Sequence, residues 1–394
     1  MSTTTGGTLN LIKPELTDDH KVTIGTDLPA NFQKIDDAIS AWGNNKRNTN
    51  WVIDSNFQIA QAVPVVATVV TNPVSGTYPI FDMWKVLYNA DAGVLPTTIN
   101  HSQQKLTAGL IDRSFYSYRL NADGAGSAFG ANSYYKVRHY IENGTRLLCG
   151  SGKKVTVTLK SFSTITGKKI GVALVQNYGT GGTPSTDETI NGNKINLITT
   201  PQTLTATFTT NTLTEKTFGT NNDDYLAIDI YYQWGTSIAP VVGDTVAETF
   251  VGAGDIEISQ VALYAGDIIL ELDPLPFSEE LRRCQRYFQR WSSQDVVWQD
   301  YGNMVLNSGS EVDITMPLIP SMRIPPTMNI VGIRGTDWML ADITGTANTS
   351  GTFNNGSKNV NYGMFYFSSG TYTAGAMYHI RIHTPGAIVA DARF

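Results

Sequence analysis

The chain is short of the residues that do most biological chemistry. Two cysteines in 394 residues, Cys149 and Cys284, are too few for a disulfide framework or a thiolate zinc site, and they leave the redox compartment open. Charged side chains make up 16%, well below the roughly 25% of an ordinary soluble domain. Lys and Arg number 28 against 34 Asp and Glu, so the formal net charge is -6 and no broad basic surface exists to neutralise phosphates. Nucleic acid is therefore not an expected partner. No stretch approaches the ~18 apolar residues of a membrane-spanning helix, and Met1 to Gly7 has neither the basic nor the apolar region of an export leader. The expectation is a soluble chain with no membrane insertion and no export signal.

Catalytic and cofactor motifs are scarce as well. Gly124-Ala-Gly126-Ser-Ala-Phe-Gly130 has the wrong spacing for a dinucleotide fingerprint, and Gly150-Ser-Gly152-Lys153-Lys154 lacks the earlier Gly and the Ser/Thr of a P-loop. There is no Gly-x-Ser-x-Gly elbow and no His-Glu-x-x-His. Of the five histidines, His20, His101, His139, His379 and His383, only the last two are close in sequence. On a strand they would face one side about 13 Å apart, too far to share an ion. Asp36-Asp37, Asp223-Asp224 and Glu279-Glu280 are adjacent acids, and the two carboxylates of a glycosidase must instead face each other across a cleft. We expect no catalytic residue, no metal and no cofactor; a hydrolase with an unfamiliar site is the alternative.

What is present is a strand pattern. Val155, Val157 and Leu159 alternate with threonines, as do Leu204, Ala206 and Phe208, and Leu226, Ile228 and Ile230 repeat with period two. Between Ile258 and Val261 the phase slips by one residue, the mark of a bulge. Gly/Asn/Thr loops such as Gly179 to Pro184 and Gly219 to Asp224 separate the runs. Many alternating strands without intervening helices predict a jelly-roll β-sandwich over residues 51–275. Strand-like runs resume over 292–394, including Glu311 to Met316, Met328 to Ile333, Tyr362 to Phe367 and Met377 to Ile382, which predicts a smaller β-sandwich domain. The fold class is mainly β.

Two helices punctuate this pattern. In residues 1–50, Asp27-Leu28-Pro29 reads as a helix start, and Leu28, Phe32, Ile35, Ile39 and Trp42 follow at spacings of 4, 3, 4 and 3. That is a coiled-coil seam, and a helix of about four turns needs partners to be stable, so self-association is expected. The alternative is a short amphipathic helix packed on its own domain. Residues 276–291 predict a connecting helix, with Ser278 as cap residue, Glu279 and Glu280 in the first turn, Arg282, Arg283, Arg286 and Arg290 later, and Leu281, Cys284, Phe288 and Trp291 as an inward stripe. Cys284 is accordingly a core residue rather than a reactive thiol.

Aromatic residues are plentiful: 7 Trp, 18 Tyr and 15 Phe. Tyr178, Tyr232, Trp234, Trp338, Tyr362 and Tyr372 lie at strand ends or in turn-rich segments, as do Tyr231 and Tyr366. Aromatic faces flanked by Asn, Asp and Thr suit sugars, whose C–H faces stack on rings. The first six are the expected ligand contacts; core packing is the alternative for any one of them.

Several motifs occur in a telling order. Leu28-Pro-Ala-Asn31-Phe32-Gln-Lys-Ile35-Asp36-Asp37-Ala38-Ile39 resembles the N-terminal segment of tail-fibre and receptor-binding proteins of tailed bacteriophages, where such a helix begins a trimeric stalk. Trp51 to Gln61 is similar to that family's first jelly-roll segment, with Asp54-Ser55-Asn56 where Asn-Gly-Asp is usual, and Tyr78-Pro-Ile-Phe-Asp82-Met83-Trp84 resembles its Tyr…Asp-Arg-Trp motif with Met83 in place of the arginine. Gly254 to Val261, then Glu280-Leu281-x-x-Cys284-Gln285-Arg286-Tyr287-Phe288, resemble its last jelly-roll strand and following helix; Met322 to Thr327 and Ala390-Asp391-Ala392 resemble its C-terminal domain. The resemblance implies a homotrimer whose first 50 residues attach to phage tail or baseplate proteins, whose middle resembles a carbohydrate-binding module, and whose C-terminal domain is the distal tip. It implies a virion component, assembled in the host cytoplasm, that binds host surface polysaccharide without catalysis. A structural baseplate or connector protein is the alternative, and a depolymerase the third reading.

Overall fold

The computed structural model describes residues 3–4, 12–13, 32–35, 49–61, 69–267, 269–270, 272–293, 298–301, 303–308, 311–342, 347–348, 351–372 and 377–394. The chain forms two units, Met1–Asn50 and Trp51–Phe394. In the first, Thr3–Thr4 (β1) pairs antiparallel with Ile12–Lys13 (β2), and residues 32–35 are helical (α1). Phe32 is 63% exposed on that segment, while Ile35 is partly buried. Leu28, Ile39 and Trp42 of the expected seam lie outside the described residues.

The second unit begins with a jelly-roll sandwich. Its strands are Val69–Thr71 (β3), Trp84–Asn89 (β4), Ile99–Lys105 (β5), Tyr116–Asp123 (β6), Tyr134–Glu142 (β7), Lys154–Ser163 (β8), Lys169–Asn177 (β9), Glu188–Asn196 (β10), Gln202–Thr209 (β11), Tyr225–Trp234 (β12) and Ala253–Ala265 (β13). A one-turn helix, Gly144–Leu148 (α2), follows β7. One sheet has the order β10-β9-β12-β7-β4 and the other β11-β8-β13-β6-β5-β3, with antiparallel pairing throughout. Period-two alternation puts Val172, Leu174, Ile228, Ile230 and Val137 of the first sheet against Val155, Val157, Leu204, Ile256 and Leu120 of the second, all buried in one core. Each such side chain contributes roughly 1.5–3 kcal/mol by leaving water. The bulge expected in β13 is present: its register against β8 shifts between Ser259 and Ala262, and Gln260 there has φ 50.

The connecting helix is shorter than expected. It spans Phe277–Gln285 (α3), after Pro276 and without a side-chain cap, so Ser278 lies inside the first turn rather than capping it. Cys284 is fully buried in the sandwich core and Tyr287 joins it. Phe288–Trp291 is a strand (β14), because its backbone gains a ladder with Ala387–Asp391 (β24) that further helix would forgo. Arg290 and Phe288 therefore belong to a sheet and not to a helix stripe.

The rest of the chain adds Gln299–Tyr301 (β15), Asn303–Ser308 (β16), Glu311–Pro317 (β17), Thr327–Val331 (β18), Trp338–Asp342 (β19), Ala347–Asn348 (β20), Thr352–Lys358 (β21), Tyr362–Ser368 (β22) and Tyr378–Ile382 (β23). They form three small sheets, β14-β24-β18, β15-β23-β19-β20 and β16-β17-β22-β21. Ile314, Phe365, Phe367, Leu340, Ile380, Ile382, Ile388 and Met328 share a second core, separate from that of the jelly roll.

Candidate functional site

The floor of the candidate site is one face of the sheet β14-β24-β18. Register places Phe288, Asp391 and Thr327 in one cross-strand row and Arg290, Val389 and Asn329 in the next. The opposite wall comes from the jelly roll: the turn Gly76-Thr77-Tyr78 and Lys85 on β4. Arg393 and Phe394 close the inner end. Together these residues enclose an open cleft of about 650 Å³.

Each wall residue is held in place. Tyr78 Oη and Lys85 Nζ both donate to the main-chain oxygen of Phe394, each at 2.9 Å. The Phe394 ring stacks on Tyr140 at 5.1 Å and 12°, meets Tyr225 edge-on at 5.4 Å, and carries the Arg323 guanidinium 3.9 Å from its centre. Arg393 lies between Tyr78 (4.2 Å) and Phe288 (4.1 Å) and makes a two-pronged pair with Asp391 at 3.0 and 2.6 Å. Arg290 donates to the Pro385 carbonyl at 3.3 Å. Burial, followed by the neighbouring Arg138 and Arg393 charges, holds the Lys85 ammonium below its ordinary pKa. Burial likewise lowers Arg290 and raises the Tyr78 phenol.

Phe394 continues the site onto the outer face of the five-stranded sheet. There Asp229, fully buried, accepts from Lys136 at 2.7 Å and from Arg138 at 2.6 and 2.8 Å. Burial alone would raise this carboxyl, and the two cations outweigh it and hold the group below the usual range. Lys136 is flanked by the rings of Tyr134 and Tyr231, each at 4.8 Å. The arrangement is rigid, with aromatic faces beside hydrogen-bonding groups.

Most of the aromatics expected to touch ligand are elsewhere. Tyr178, Tyr232, Trp234, Trp338 and Tyr372 are buried, and only Tyr362 is exposed, at 38%. Tyr232 sits in the sandwich core because it shares the inner face of β12 with Ile228 and Ile230. A register shift between Tyr231 and Gln233 then turns Trp234 to the outer side, where the 3-10 turn Ala239–Val242 covers it. Their polar tips explain how such rings can be interior: Trp234 Nε1 donates to Val246, Trp338 Nε1 to Gly332, and Tyr178 Oη to Glu188. None of the six lines the cleft. The acid pairs serve structure too. Asp223 accepts from Thr180, Asp224 pairs with Arg146 at 3.2 Å, Glu279 pairs with Arg282 at 3.4 Å, and Glu280 accepts from the Asp54 N–H. Asp36 and Asp37 lie outside the described residues. Among the described residues no group of three His, Cys, Asp or Glu is placed to hold a metal ion.

Sequence reasoning missed Lys85, Arg290, Asn329, Arg393 and Phe394, which no local pattern marks. A signal existed for others: Tyr78, Phe288 and Asp391 all belong to the motifs described above, and they meet at this cleft.

No protein-family model and no curated protein matches the chain. Among solved structures it is similar to a CBM4 carbohydrate-binding module (15% identity, TM-score 0.31, covering 54% of this chain and 99% of that one). It is also similar to the N-terminal cellulose-binding domain of Cellulomonas fimi β-1,4-glucanase C (14%, TM-score 0.28, 52% and 98%). A third likeness is to the enzymatically active domain of bacteriophage CBA120 tailspike protein 4 (10%, TM-score 0.27, 46% and 19%). The sandwich is established by its own strand pairing, and likenesses this low add nothing to it.

Proposed function

We infer that the chain is a receptor-binding protein or fibre of a phage tail, trimeric through its N-terminal seam, which binds host surface polysaccharide without breaking it. The observation that carries this reading is the cleft of about 650 Å³, where Asn329, Thr327 and charged groups stand beside Tyr78 on a β scaffold. The motif order and the exposed ring of Phe32 on α1 support trimerisation. Weak sites repeated threefold, and again over several fibres, gain by effective concentration what each lacks in affinity. In this reading residues 1–50 join the chain to tail or baseplate proteins, and the protein is assembled in the host cytoplasm as part of the virion.

A glycan array probed with the full-length chain tests the reading. Binding to surface polysaccharide, recovered intact with no new reducing ends, supports it. Release of reducing ends would make the chain a depolymerase. Exposed Ile319, Ile333 and Met377 favour a second reading, a baseplate or connector protein whose β-domains contact other virion proteins. Capture of purified tail components together with silence on the array would establish that one.

A further inference from the structure

Three buried carboxylates meet where the jelly roll hands over to α3. Asp54 comes from the segment Trp51 to Gln61, Asp82 from the turn before β4, and Glu280 from α3. The Asp54 N–H donates to Glu280 Oε1, which ties the first segment of the sandwich to the helix. The other ionisable groups of this corner are His139 on β7, Arg283 and Cys284 on α3, and Arg290 on β14. Arg283 stands 3.5 Å from Glu280, and Arg290 feels the Asp82 charge, so two of the carboxylates have a cation. His139 supplies no charge: its Nε2 accepts from the Ile53 N–H at 3.3 Å, and burial, then the Arg283 charge, lower the imidazole to about 3. Asp54 is left over. Its Oδ1 is taken by the N–H groups of Gln58 and Ile59, and among the described residues its Oδ2 has no hydrogen-bond partner. A third buried negative charge costs more than a retained proton, and burial, with the Glu280 charge behind it, accordingly pushes this carboxyl well up. The corner also borders the cleft. Gln61 Nε2 donates to Asp82 Oδ2 at 2.6 Å and to the Phe288 carbonyl at 3.0 Å, so the same contacts hold β14.

We propose that this corner is a proton-held latch: neutral Asp54 keeps α3 on the sandwich, and loss of its proton as pH rises sets a third carboxylate beside Asp82 and Glu280 and releases the helix. With the latch open, Asp54 meets water and titrates near the ordinary value of about 3.9, whereas the closed form holds the proton to higher pH. Latching is therefore complete below about pH 4. Above it the closed form loses up to about tenfold in favour per pH unit, until it too has given up the proton. The latch operates whether or not the cleft holds a ligand.

Cys284 reports on the latch because it is fully buried in the same corner, and Cys149, fully buried at the end of α2, serves as the control. The test is maleimide labelling of the native full-length chain from about pH 5 to 8, resolved for each cysteine by peptide mass spectrometry. Each rate is divided by that of the unfolded chain at the same pH, which removes the ionisation of the thiol itself. Cys284 labelling should climb by about three- to tenfold per pH unit over part of this range while Cys149 stays level. Asp54→Asn keeps the acceptor oxygen and should hold Cys284 at its low-pH rate throughout. Glu280→Gln should make the climb shallower. A level Cys284 rate in the unaltered chain would overturn the proposal, and so would a parallel climb at both cysteines, which reports global unfolding rather than a local opening. A climb that persists in Asp54→Asn would overturn Asp54 as the seat of the proton. The two cysteines of the unaltered chain decide whether the latch exists even if a variant fails to fold.

Discussion

Asp54 faces a second carboxylate inside the protein. Its Oδ1 accepts the N–H groups of Gln58 and Ile59 at 2.6 and 3.1 Å, its own N–H donates to Glu280, and its Oδ2 is buried with no hydrogen-bond partner. Burial first, and Glu280 second, push this carboxyl well above its ordinary pKa. The folded chain therefore keeps a proton that the unfolded chain releases, and stability falls as pH rises out of the usual carboxylate range. Asp54→Asn preserves the acceptor oxygen and tolerates the left-handed backbone here, φ 55. Thermal melts from pH 4 to 8 should show the variant gaining on the parent as pH rises. Asp244 works in the opposite direction. Burial would raise it, but hydrogen bonds from Lys169 and Lys194 dominate and hold it at about 2. Its contribution, on the order of 2 kcal/mol, is complete above the unfolded carboxylate pKa near 3.9 and is lost as pH drops toward 2. Asp244→Asn should flatten the acid limb of the same curve; an unchanged limb would show that the lysine clamp contributes nothing.

At the scale of elements, the joint after the jelly roll depends on Glu142. It accepts from the Arg286 guanidinium at 3.1 and 2.9 Å and from Tyr287 Oη at 2.8 Å, fixing the end of α3 to β7. Glu142→Ala leaves a buried phenol and a half-exposed guanidinium without their acceptor, and urea titration should report a loss of about 1–3 kcal/mol. For the N-terminal seam, Phe32→Asp together with Ile35→Asp should convert trimer to monomer in mass photometry if the seam joins the chains; an unchanged mass would refute that role. The strands of the jelly roll were legible because half-buried sheets impose period two, and even the bulge of β13 left its trace between Ile258 and Val261. The end of α3 was not. Phe288 and Trp291 are three residues apart, a spacing that fits a helix face, and only pairing with β24, about a hundred residues away, makes them a strand.

For the whole molecule, the cleft was the least legible feature, since it joins Tyr78 to Phe394 across 316 residues of sequence. Aromatic content pointed to rings as the functional surface, but content cannot separate Trp234, sealed under the turn Ala239–Val242, from Tyr78 on the cleft wall. Burial follows from register and from where a polar tip finds its partner, and both are tertiary properties. The central claim is that host polysaccharide is held in this cleft. Hydrogen–deuterium exchange of the full-length chain, with and without polysaccharide from a susceptible host, tests it most directly. The account predicts added protection confined to the turn at Gly76–Tyr78, β4, β14, β18 and β24. Protection elsewhere in the chain with these segments unchanged would contradict it.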